Sequence, residues 1–186
     1  MQAAGGAAIT SSKPSAARRY WLLAAVVGVL GLALDQAAKA VAIASLDPAN
    51  PVPLLGGFVT LQLMRNSGAA FSMGEGFTPV FTVLAIAALV GVIVWALPRL
   101  RHIGWSVTAG LLLAGISGNL TDRLLREPGP FRGHVVDFIQ VRYFAVFNVA
   151  DMFITAAAVL VVWLTMIAKV NLDGTRQVDH AEAADG

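Results

Sequence analysis

Long apolar runs alternate with polar turns along the chain, and the pattern predicts four membrane-spanning helices. The first follows Arg18-Arg19: Tyr20 to Leu34 is uncharged, and the helix can continue through Asp35, Gln36 and Lys39 to about residue 44. The second, residues 76–97, has 22 uncharged residues. At about 1.5 Å per residue it reaches about 33 Å, enough for a hydrocarbon core of about 30 Å. It stops at the polar turn Pro98-Arg99-Leu100-Arg101. The third, residues 103–121, is uncharged over 19 residues and runs straight into Asp122. The fourth, residues 151–168, is uncharged over 17 residues from Met152 and ends at Lys169.

Two segments lie between these helices on the other side from the 98–102 turn. Residues 45–75 contain Phe58-Val59-Thr60-Leu61-Gln62-Leu63-Met64, a β-leaning run with partial alternation between Gly56-Gly57 and Asn66-Ser67-Gly68 turn signals. Residues 123–150 contain the break Pro128-Gly129-Pro130 and a short extended run, Val135 to Ile139. The fold class expected is an all-α membrane protein, four transmembrane helices with a small extracytoplasmic β-containing segment and loop. Residues 18–169 form its single domain. Residues 1–17, rich in Ala, Gly, Ser and Thr, and residues 170–186 are expected to be disordered cytoplasmic tails. The apolar run after Arg19 is too long for a signal-peptide core, so the amino terminus is not read as a secretory leader.

Composition agrees with this pattern. The 186 residues are 57% hydrophobic and 13% charged, with a mean hydropathy of +0.72, which lies outside soluble composition. The net charge of +2 is scattered, so no nucleic-acid partner is expected. There is no cysteine, and His102, His134 and His180 have no paired ligand spacing, so no metal centre is expected. Seven Lys and Arg lie on the side of the termini and six opposite. The Arg18-Arg19 pair and the short Arg99/Arg101 turn favour cytoplasmic termini.

Charged groups beside a bilayer are costly and mark candidate sites. Asp122 lies 19 residues beyond Ile103, about 28 Å along a helix, and Asp35 lies about 24 Å beyond Arg19. Asp151 opens the fourth helix from the same side. Asp35, Lys39, Asn119, Asp122, Asn148 and Asp151 therefore converge on one plane near the outer surface, with Asp137 on the loop above it. Asn119 with Asp122, and Asn148 with Asp151, repeat a spacing of three. On a helix that places each amide beside its carboxylate. Two aspartates sharing a site do not both ionise cheaply, so one keeps a proton, and such a pair can hydrolyse a peptide by general acid–base catalysis. The cation of Arg123 would hold Asp122 ionised, a supporting role. The apolar neighbours Val135, Val136, Phe138 and Ile139 should raise the pKa of Asp137, which favours Asp137 with Asp151 as the pair.

Asp35-Gln36-Ala37-Ala38-Lys39, Asn66-Ser67-Gly68-Ala69-Ala70-Phe71, Gly118-Asn119-Leu120-Thr121-Asp122-Arg123, Val135-Val136-Asp137-Phe138 and Phe147-Asn148-Val149-Ala150-Asp151 resemble, in order, the motifs of the lipoprotein signal peptidase (signal peptidase II) family. The resemblance covers about residues 20–168. It implies an aspartic endopeptidase of the bacterial cytoplasmic membrane, free of metal and cofactor. Such an enzyme removes signal peptides from lipid-modified prolipoproteins before the diacylglyceryl cysteine, works among membrane lipids, and is inhibited by globomycin. By motif, the catalytic pair is Asp137 and Asp151. Asn119, Asp122, Arg123, Asn148, Asn66, Asp35 and Lys39 match supporting or substrate-binding positions. Thr121 and the absence of a proline before Phe147 depart from the family pattern. A monomer is expected.

Simpler roles compete at single positions. Asp35 and Lys39, four apart, fit an ion pair capping the first helix. Asn119 or Asn148 alone fits interhelical hydrogen-bond glue, and Gly110, Gly115 and Gly118 fit close helix packing. Trp21, Trp95, Trp105 and Trp163 fit interface anchors. Two other functions remain open at this point: a small proton-coupled transporter, and a non-catalytic assembly factor.

Overall fold

The computed structural model describes residues 16–68 and 77–176. Helix α1 spans Ala16–Ser45, α2 Thr78–Gly91, α3 Ile103–Leu125 and α4 Val149–Val162. Helix α2 continues through a π turn, Val92–Ala96, and α4 through another, Trp163–Ile167. All four helices are long and apolar enough to cross a membrane. Among the tails and loops expected from sequence, residues 1–15, 69–76 and 177–186 lie outside the described residues, and with them the Ala69-Ala70-Phe71 part of the second motif.

Helix α3 is the centre of the bundle: 56% of its most apolar stretch is buried, against 6% for α2. Its small residues explain this. A Cβ on Gly110 would stand 2.6 Å from the Val27 Cβ of α1, and one on Gly115 would stand 2.5 Å from the Ala150 carbonyl of α4. On the facing side, a Cβ on Gly31 of α1 would meet Ala114 at 2.6 Å. Bare backbone on both partners lets the helices approach, which is how helices associate where no hydrophobic drive between them exists.

A four-stranded antiparallel sheet caps one end of the bundle, in the order β1 (Val52–Leu54), β2 (Val59–Asn66), β3 (Val135–Val141), β4 (Val146–Phe147). Val136 and Phe138 of β3 pack on Ala42 near the end of α1. Pairing of β2 with β3 slips by one residue between Leu61 and Met64: Leu61 faces Ile139, but Met64 faces Asp137. Side chains alternate faces along a strand, so one inserted residue flips everything beyond it. Without the bulge Asn66 would point away from Asp137. With it, the two share a face.

Four features differ from the sequence expectation. Helix α3 runs one turn past residue 121, because Asp122 pairs with Arg126 on the next turn at 2.6 Å and the Gly133 N–H caps the Arg123 carbonyl. Helix α1 begins at Ala16, inside the expected tail. Residues 170–176, also assigned to a tail, form a hook on the 98–102 turn, with Val170 bridged to Arg176 and the Leu172 carbonyl accepting from Arg101 N–H. Trp105 is not an interface anchor; it is 9% exposed and donates its indole N–H to the Val170 carbonyl at 2.9 Å.

Gly115→Ala should push α4 off α3 at about 1–3 kcal/mol, lowering the thermal midpoint in detergent by several degrees. A Cβ on Gly91 meets nothing within 4 Å, so Gly91→Ala should leave the midpoint unchanged or raise it slightly. A scanning fluorimetry comparison of the two variants checks this.

Candidate active site

The site is built in layers at the sheet-covered end of the bundle. At its base Lys39 is fully buried, with Nζ 2.9 Å from Asp35 and 2.8 Å from Asp122, both fully buried as well. Arg126, at 2.6 Å from the other Asp122 oxygen, makes a fourth member. Two carboxylates against two cations make the cluster neutral. This is not a cap on α1, which runs on to Ser45. It is an interior ion cluster joining α1 to α3.

Each carboxylate at the base also holds a backbone N–H of another element. Asp35 Oδ1 accepts from Ala150 in the first turn of α4 at 2.9 Å. Asp122 Oδ2 accepts from Val136 of β3 at 3.1 Å. The residues that follow those two amides are Asp151 and Asp137. Gly118 is the gap that makes room, since a Cβ there would stand 2.5 Å from Asp35 Oδ2.

Asn119 and Asn148 form the middle layer. Asn119 Oδ1 accepts from Lys39 at 3.2 Å and from Asn148 Nδ2 at 3.1 Å. Two donors on that atom fix it as the oxygen, so Nδ2 must face the other way. There it donates to Asp151 Oδ1 at 2.7 Å. Asn148 Nδ2 donates in turn to Asp137 Oδ1 at 2.6 Å. Asn119 of α3 therefore serves the carboxylate on α4, and Asn148 of α4 serves the one on β3. The spacing of three suggested that Asn119 orients Asp122 and Asn148 orients Asp151, and the structure corrects this for both side-chain amides. Asn148 is the N-cap of α4, in extended backbone, and forms a capping box: its Oδ1 accepts from Asp151 N–H, and Asp151 Oδ2 accepts from Asn148 N–H.

Asp137 and Asp151 make the top layer. Asp137 is 1% exposed, and its second oxygen accepts from Asn66 Nδ2 at 2.9 Å. Burial pushes the Asp137 carboxyl up to about 6 and the nearby Asp151 charge adds to this, outweighing the Asn66 and Asn148 donors and Lys39, which pull the other way. Arg123 does not pair with Asp122 as the sequence suggested. It donates to the Asn119 carbonyl at 3.4 Å, and its charge acts on Asp151 first, then Asp137, and least on Asp122. Among the described residues no group of three His, Asp or Glu could hold a metal ion.

All nine residues singled out from the sequence thus meet in one place. Three contributors were missed. Arg126 could have been found from its i,i+4 spacing to Asp122, had the helix been continued. Gln36, which donates to Asp35 and to the Gly118 carbonyl, carried no signal apart from its motif. Phe144 lines two clefts flanking the site, and nothing in its local sequence marks it.

Lys39→Met leaves two buried carboxylates with one cation fewer, at about 3–5 kcal/mol. It should also free Asn119 to flip and cut the turnover rate. The double variant Asp35→Asn/Lys39→Met should lose much less stability than the sum of the two single changes. Thermal midpoints of the four-member cycle, read beside turnover, check both.

The profile of the signal peptidase (SPase) II family matches residues 27–167. A lipoprotein signal peptidase of Mycobacterium avium (strain 104) is 48% identical over 149 residues, covering 80% of this chain and 81% of that protein. One of Rhodococcus jostii (strain RHA1) is 45% identical over 166 residues, covering 89% and 82%. A solved structure described as a bacterial membrane enzyme superposes with a TM-score of 0.68 at 25% identity, over 77% of this chain and 92% of that one. With a family profile across most of its length and relatives this similar, the chain belongs to the signal peptidase II family.

Proposed function

We propose that this protein is an aspartic endopeptidase that removes the signal peptide from diacylglyceryl-modified prolipoproteins, cutting just before the lipidated cysteine. The observation that carries the reading is the crossed pair of hydrogen bonds, Asn119 to Asp151 and Asn148 to Asp137. They hold two carboxylates from a helix and a strand over one buried base. Curated relatives bear the name lipoprotein signal peptidase, and that substrate suits carboxylates at the membrane surface.

Asp137, whose carboxyl is pushed up to about 6, is placed to act as the acid. Asp151 takes a proton from water as the oxygen attacks the scissile carbonyl carbon, while Asp137 gives its proton to the carbonyl oxygen. The tetrahedral gem-diol then collapses: Asp137 takes back a hydroxyl proton as the C=O bond reforms, the C–N bond breaks, and the leaving amine receives the proton that Asp151 took. Arg123, whose charge acts on both carboxylates, limits the build-up of negative charge between them.

Two clefts meet at Phe144. One, of about 460 Å³, is lined by Phe147, Met152, Thr155 and Ala156 and opens on Asp151. The other, of about 370 Å³, is lined by Met64, Arg65, Asn66 and Gln140. The apolar cleft along α4 suits the signal-peptide side of the scissile bond, and the cleft that holds Arg65, Asn66 and Gln140 suits the chain beyond the cysteine. In this reading the aspartates lie at the outer face of a bacterial cytoplasmic membrane, both termini are cytoplasmic, the protein works as a monomer without cofactor, and globomycin inhibits it. Nothing in the family or the site favours a transporter.

Cleavage of a diacylglyceryl-modified prolipoprotein by the purified full-length protein in detergent tests the assignment. Asp137→Asn and Asp151→Asn should each reduce turnover by at least about a hundredfold with the fold intact. Asp122→Asn should lower the thermal midpoint yet leave measurable turnover. An inert wild type would overturn the function, and a dead Asp122→Asn beside an active Asp137→Asn would overturn the site.

A further inference from the structure

At the end of the bundle away from the aspartates, a groove of about 450 Å³ lies between α2, α3 and α4. Its walls include Gly91 and Trp95 on the α2 side, Trp105 and Leu112 of α3, and Val161 of α4, with Leu172 of the hook across its end. Trp105 is 17 residues before Asp122, about 26 Å along α3. Thr108 is the one hydroxyl in the wall, and it is spent on the Gly104 carbonyl at 2.9 Å. The Trp105 indole N–H is spent on the Val170 carbonyl, and the wall is otherwise almost wholly apolar. An apolar chain suits it.

The groove leads into a polar mouth. Trp95, Trp105 and Leu172 also line a second hollow of about 540 Å³, together with Arg99, Asn171 and Asp173. The 98–102 turn and the hook that form this mouth carry Arg99, Arg101 and Arg176, with Lys169 just before the hook, against the single acid Asp173; of these cations Arg99 lines the hollow itself. Asp173 is occupied by Thr175, whose N–H and hydroxyl it accepts at 2.9 and 2.7 Å. Arg99 lies over the Trp95 ring, 5.2 Å from its centroid, and spends one N–H on the Trp95 carbonyl. A guanidinium has five such donors in a fork that matches a phosphate. Trp95 lies in the π turn Val92–Ala96 and Arg99 at the end of the 3-10 turn that follows it, Leu97–Arg99.

We propose that groove and mouth together bind an anionic phospholipid of the leaflet opposite the aspartates, with one acyl chain in the groove and the phosphate on Arg99. The apolar slot and the cationic rim lie in the order in which a phospholipid presents its tail and its head. Basic pockets between membrane helices recognise anionic head groups in this way.

Full-length protein, delipidated in mild detergent and titrated with phosphatidylglycerol or phosphatidylcholine under native mass spectrometry, tests the site. Phosphatidylglycerol should bind about fivefold tighter or more, as one well-placed cation warrants, and Arg99→Gln should remove the difference. Gly91→Leu grows into space where a Cβ meets nothing within 4 Å, so it should weaken both lipids while the lipid-free thermal midpoint is kept. Equal binding of the two lipids by wild type would overturn the proposal. So would Gly91→Leu that leaves lipid binding intact, including the case in which it raises the KM for prolipoprotein, since the groove would then hold the substrate's apolar helix.

Discussion

Lys39 carries its charge in the protein interior, 2.9 Å from Asp35 and 2.8 Å from Asp122, and the rest of the site is assembled on that contact. Removing an ion from water costs several kcal/mol even after relaxation. Such a cluster persists only where the geometry is good and remaining donors and acceptors are used. Here they are used on the elements that bring the upper aspartates. Asp35 holds the first turn of α4, Asp122 holds β3, and Lys39 itself fixes Asn119. A change at the base therefore reaches Asp137 and Asp151 through single hydrogen bonds, with no rearrangement of the helices needed.

The two upper carboxylates are held alike but placed differently. Asp151 sits in the first turn of α4, where it closes the capping box with Asn148. Asp137 sits on a strand, 1% exposed, between the Asn66 and Asn148 side chains, and burial dominates. The two surroundings differ in burial and in donors, and in the proposed reaction that difference lets one residue type fill two roles.

Much of this was legible in the sequence, because depth in a membrane helix follows from counting. Rise per residue alone placed Asp35, Lys39, Asn119, Asp122 and Asp151 in one plane, and five motifs in order named the family. What the sequence could not carry was which side chain meets which. Asn148 lies in extended backbone as an N-cap, so its contact with Asp151 runs through the two backbone N–H groups of the capping box, and its Nδ2 turns to Asp137 of β3. The partner of Asn66 depended on a one-residue bulge between Leu61 and Met64, which no alternation pattern reveals. Trp105 looked like an interface anchor because its burial comes from residues 170–176 folding back, a contact with no local signature.

The central claim is that Asp137 binds its proton more tightly than an ordinary carboxyl does. Its carboxyl stands at about 6 against the ordinary 3.8, so the folded state binds this proton more tightly than the unfolded one does. The contribution to stability is full below about pH 4 and is lost as pH rises through about 6. Infrared difference spectroscopy of the full-length protein with labelled aspartate follows the group directly. The account predicts a protonated carboxyl band that titrates near pH 6 and is missing from Asp137→Asn; a band that survives in that variant, or a wild type with no carboxyl titrating above about pH 5, would contradict it.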